Sequence, residues 1–83
     1  MKFPDLNKNE FAVVMADNNT GIILDTNQKL YRNNSGNSAC SIFENINDAR
    51  DFIEKIAMTN DKIEFMIYDY NQQLVDIIKA KAY

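Results

Sequence analysis

Two spacings of apolar residues alternate along this chain, and their order predicts a fold. Phe11 to Ala16 and Gly21 to Asp25 are short apolar runs, partly β-branched, flanking Asp17-Asn18-Asn19-Thr20-Gly21. Asn and Gly tolerate the positive φ of a tight reversal, so this stretch predicts a β-hairpin. From Asn45 the spacing changes: Ile46, Ala49, Phe52, Ile53, Ile56 and Ala57 recur every three or four residues, on one stripe of an α-helix. Asn45 is the expected N-cap, and Asp48 complements the positive end of the helix dipole. Asn47, Arg50, Asp51, Glu54 and Lys55 take the wet side. The stripe stops at Met58, and Thr59-Asn60-Asp61 is the expected break, with Asn60 in the left-handed conformation.

After the helix a period of two returns. In KIEFMIYDYNQQL, residues 62–74, Ile63, Phe65 and Ile67 point one way, and after Glu64 the residues Met66, Tyr68 and Tyr70 point the other. A turn is expected at Tyr70-Asn71-Gln72. Gln73 to Lys79 fits a strand alternating Leu74, Asp76 and Ile78 against Val75, Ile77 and Lys79, or a helix joining Leu74, Ile77, Ile78 and Ala82. Its β-branched content and the short reversal favour the strand. YRNNSGNS, residues 31–38, reads as an exposed loop. Its flanks at 29–32 and 39–43 form either a second hairpin or a single strand, with Ala39 to Phe43 the favoured strand. Residues 1–10, broken by Pro4, read as a loosely held lead-in.

The expected fold is therefore α+β: a small, mostly antiparallel sheet of four to five strands with one helix packed on one face, in the order ββ(β)αββ. Phe11, Val13, Met15, Phe65 and Ile67 would meet Phe52, Ile53 and Ile56 on the covered face. A length of 83 residues, 46% of them hydrophobic and 25% charged, suits one soluble domain.

Charge and chemistry narrow the function by subtraction. The net charge of −3 comes without any basic cluster, so the phosphate-neutralising footprint of nucleic-acid binding is missing. Without histidine, neither a Ser-His or Cys-His nucleophilic pair nor the usual zinc ligand set can be assembled. Asp17 with Asp25, or Asp69 with Asp76, are the carboxylate pairs that hairpins could bring together, and acids at such turns are expected to be solvated or backbone-bonded instead. Asp17 to Gly21 departs from a calcium loop: the glycine comes one position early and Gln28 replaces the bidentate Glu. Two distant glycines cannot write a phosphate-binding loop. The expectation is a non-enzymatic chain with no catalytic residue, no metal and no cofactor.

Cys40 is the single cysteine, beside Ile42 and Phe43, and is expected to be a buried, inert thiol. No disulfide can form within the chain, and the polar N-terminus lacks a secretory apolar core, so a cytoplasmic setting with no membrane span is expected. Asn18-Asn19-Thr20 and Asn33-Asn34-Ser35 match the glycosylation sequon, but carry little weight in that setting.

What remains is the second face of the sheet. Met66, Tyr68 and Tyr70, with Val14 and with Val75 or Ile77, would form an apolar patch with phenolic tips, the composition of a contact surface. The leading expectation is a protein-binding module that self-associates, as a homodimer, or takes a protein partner there. Leu30 and Tyr31 folding back over this face would instead complete a monomeric core. A small acidic inhibitor of a larger enzyme is a second reading. A single-stranded nucleic-acid binder stacking bases on Tyr31, Tyr68 and Tyr70 is a third, disfavoured by charge.

Overall fold

The computed structural model describes residues 4–31 and 38–80. Five strands and one helix follow in order: β1 (Phe11–Asp17), β2 (Ile23–Leu24), β3 (Cys40–Phe43), α1 (Ile46–Thr59), β4 (Ile63–Tyr68) and β5 (Leu74–Ile78). All strand pairs are antiparallel. The fold is α+β, ordered βββαββ.

β1 is the spine of the sheet. One side pairs along its length with β4, from Ala12 opposite Tyr68 to Asp17 opposite Ile63. The other side is shared: β3 takes Phe11 to Val14 and β2 takes Met15 and Ala16. β4 then carries β5, which closes the sheet at its far edge. β3 and β4 therefore flank β1 in parallel, and α1 is the crossover between them. Lying between neighbours on both sides and layers above and below, residues 12 to 16 of β1 are all buried. An unbroken apolar run, AVVMA, is what such a doubly covered strand requires.

The helix covers one face as its spacing predicts. Val13, Met15, Phe65 and Ile67 form a buried cluster with Ala49 and Ile53, and Phe11, Phe43, Phe52, Ile56 and Ile78 pack around it. The rings of Phe43 and Phe52 lie 4.9 Å apart, tying β3 to the helix. Asn45 is the N-cap: its side-chain oxygen accepts from the Asp48 N–H at 2.8 Å, and its amide donates back to the Asp48 carboxylate. Asn60 departs from expectation. It is extended, with φ −146°, because its own side chain accepts from the Lys62 N–H and leads the chain directly into β4.

Two turns are built alike. Asp25-Thr26-Asn27-Gln28-Lys29-Leu30 and Asp69-Tyr70-Asn71-Gln72-Gln73-Leu74 share the pattern Asp-x-Asn-Gln-x-Leu. In each, one carboxylate oxygen accepts the N–H groups two and four residues on, at 2.8 and 3.0 Å after Asp25 and at 2.9 and 3.0 Å after Asp69. In each, the Gln N–H donates to the Asp carbonyl, and the Asp N–H donates to the carbonyl of the residue after Gln. Gln28 and Gln72 are both left-handed, at φ 64° and 62°. This is a three-residue hairpin loop, a turn followed by a left-handed residue, and glycine is the residue that adopts the last position most readily. Leu30 then bridges to Leu24, as Leu74 pairs with Tyr68.

Thus 29–31 does not form a hairpin with β3, which pairs with β1 instead. Within residues 73–79, Leu74–Ile78 do form a strand, but not with uniform alternation. Asp76 lies opposite Ile67 and Leu74 opposite Tyr68, so Val75 is an extra residue in β5. This bulge moves Leu74 off the helix side, where simple alternation puts it, and onto the reverse face. The expected behaviour of residues 1–3, most of the 31–38 loop, the Asn33 sequon and Ala82 lies outside the described residues.

Candidate interaction surface

The reverse face has a closed centre and an open margin. Ala12, Val14 and Cys40 form a small buried cluster there, with Leu6, Ile23, Met66 and Tyr68 packed around it. Leu6 comes from the stretch before β1, where the Asn7 N–H is held by Glu10 Oε1 at 2.7 Å and the Glu10 N–H returns to the Asn7 carbonyl. Among the described residues, the centre is thus covered by Leu6, with Ile23 of β2 beside it. Leu30 is instead half-exposed at 52%.

The six residues singled out for this face separate accordingly. Val14 lies opposite Met66 on one side and Cys40 on the other and is 1% exposed, so it offers no contact surface. A central strand cannot show its side chains once both neighbours and a covering segment are in place. Met66 and Tyr68 are half-buried, with the Tyr68 hydroxyl 3.9 Å from the Met66 sulfur. Tyr70 is exposed, but β4 ends at Tyr68, and Tyr70 sits in the turn rather than in the strand. Val75 and Ile77 lie open on β5, at 45% and 41%. Leu74, which the alternation placed on the other side, joins them at 47%. Ile42, opposite Ala12 on β3, is a further exposed member of this face.

On its helix side β5 is covered only in part: the helix lies over β1, β3 and β4 and reaches β5 through Arg50 and the margin of the core at Ile78. Between α1 and β5 lies a cleft of about 200 Å³, lined by Arg50, Ile53, Glu54, Ala57 and Ile78. Across it, Arg50 pairs with Asp76 at 3.0 Å. On the reverse face, Lys79 pairs with Glu64 at 2.8 Å. The second Asp76 oxygen accepts the Ile77 N–H at 2.9 Å.

The acids considered for chemistry are otherwise employed. The Asp17 carboxylate accepts the N–H groups of Asn19 and Thr20, and those of Asp25 and Asp69 organise the two hairpin turns. Among the described residues, no three acids or cysteines converge as metal ligands. Cys40 is buried, and loss of solvent pushes its thiol up from its ordinary 9.0, away from the reactive thiolate. No helix among the described residues is long and apolar enough to cross a membrane. No protein-family model matches the chain, and no curated protein or solved structure matches it either.

Proposed function

We propose that this protein is a non-enzymatic binding module that takes a protein partner along β5 and the adjoining margin of the reverse face. The observation that carries this reading is the run of Leu74, Val75 and Ile77, each more than two-fifths exposed, on a strand that ends the sheet. Isolated exposed aliphatics are ordinary; three in one edge strand form a contiguous apolar strip. Tyr70 beside them adds contact area with a polar tip. A stable interface needs about 800 Å² per partner, so contact would spread from β5 over Tyr68 and Tyr70.

The test compares capture of proteins from native lysate by the wild type, by Ile77→Asp and by Met58→Asp. Met58 is 79% exposed on the helix, away from the strip. A captured protein is then titrated against all three, and Ile77→Asp is expected to weaken it at least about tenfold while Met58→Asp matches wild type. A partner held equally by all three rejects the reading.

A further inference from the structure

We propose that β5 is a separately releasable strap: it leaves β4 as a unit while the rest of the sheet stays folded, and two ion pairs on opposite faces latch it closed. The proposal concerns the chain alone and does not depend on the binding reading.

Packing divides the sheet into parts of unequal hold. Residues 12 to 16 of β1 are all buried, and β1 pairs with β4 without a break from Ala12 to Asp17. None of the residues of β5 is buried. Only Ile78 among them packs against the core, and Ala80, just past the strand, adds one buried methyl group. The bulge at Val75 interrupts the ladder after Ile67, so its regular part is confined to Phe65 opposite Ile78, Met66 opposite Ile77 and Ile67 opposite Asp76. A segment with so little apolar burial, on the edge of a sheet, opens at a lower free energy than the core it borders.

The latches stand at the two ends of that short ladder. Next to the bulge, Asp76 takes Arg50 from the helix at 3.0 Å; beyond the last pair, Lys79 takes Glu64 of β4 at 2.8 Å on the reverse face. Exposed pairs of this kind are individually weak and are screened by salt. Set against one core side chain and a short ladder, they are a material share of what keeps β5 shut. Release also changes the surface. β4 becomes the edge of the sheet, and Ile53 and Ala57, which line the cleft with Ile78, lose that cover. β5 is thus a salt-sensitive gate over an apolar groove between α1 and β4.

Native-state hydrogen exchange at increasing urea tests the proposal on the full chain. The ladder amides of β5 are expected to share one opening constant, at least about tenfold larger than that of the β1 amides and only weakly dependent on urea. Val13→Ala should raise β1 exchange at least about tenfold and leave β5 exchange unchanged, because Val13 stays packed when β5 opens. Arg50→Gln, Lys79→Gln and about 0.5 M salt should each raise β5 exchange about two- to fivefold. Amides of β5 that exchange together with those of β1, share their urea dependence and follow Val13→Ala overturn the separate release. The wild-type comparison alone decides that point if Val13→Ala does not fold. Opening that grades from one end of β5 overturns its release as a unit, and β5 exchange indifferent to both substitutions and to salt overturns the ion pairs as its latch.

Discussion

The two Asp-x-Asn-Gln-x-Leu turns have the same hydrogen bonds and opposite surroundings. After β2 the turn folds against its own chain: the Thr26 N–H donates to the Ser38 carbonyl at 3.0 Å, and Asp25 is only 3% exposed. After β4 the turn projects from the sheet, and Asp69 is half-buried. One local sequence thus makes one local structure in both places, and burial alone sets how much depends on it. The half-buried Asp69 carboxylate shares its acceptor role with solvent, whereas the buried Asp25 holds its N–H partners with little competition from water.

The largest expected difference is in the aspartates. Asp25→Ala should destabilise the protein by about 2–3 kcal/mol, and Asp69→Ala by about 1 kcal/mol, as measured by urea unfolding with the slope unchanged. Equal losses would break the contrast between the turns. Gln28→Gly and Gln72→Gly sharpen it from the other direction. Each relieves a left-handed side chain at the cost of a more flexible unfolded chain, so each should add about 0.5 kcal/mol. Their effects should also sum in the double variant, since the turns share no partner. The smallest effect is expected for Tyr70→Thr with Gln73→Lys, which makes the second turn identical in sequence to the first. Stability should move by less than about 0.5 kcal/mol, because neither side chain makes the turn's hydrogen bonds. A larger fall would mean that Tyr70 packs on the domain rather than facing a partner.

Much of the fold is legible from local spacing because the helix stripe and the first hairpin state their own geometry. Ile46 to Ala57 form a stripe that must be buried against another element, and the period-two runs on either side make that element a sheet, while Asn45 with Asp48 marks where the helix begins. The partner of β3 is not legible in that way. CSIF has no local feature that prefers β1 over residues 29–32; its place beside β1 goes with Phe43 meeting Phe52, a contact that exists only after the helix docks. The same limit applies to the reverse face. Leu6 stands among polar neighbours and reads as part of a loose lead-in, yet it covers Ala12, Val14 and Cys40. The bulge at Val75 altered the candidate surface by one residue, exchanging the expected side of Leu74. The duplicated turn was present as a plain repeat, but its polar residues are invisible to a search for apolar periods.

The central place of β1 also governs how the molecule comes into being. Its greasy stretch, AVVMA, is made before β4, which must zip along its whole length and follows α1. Until then the spine has at most the short β2 and β3 beside it and no closed sheet to hide in. Closure of the sheet around its spine therefore waits for a sequence-distant strand, and assembly of this domain is governed by that long-range pairing rather than by stepwise growth from its first hairpin.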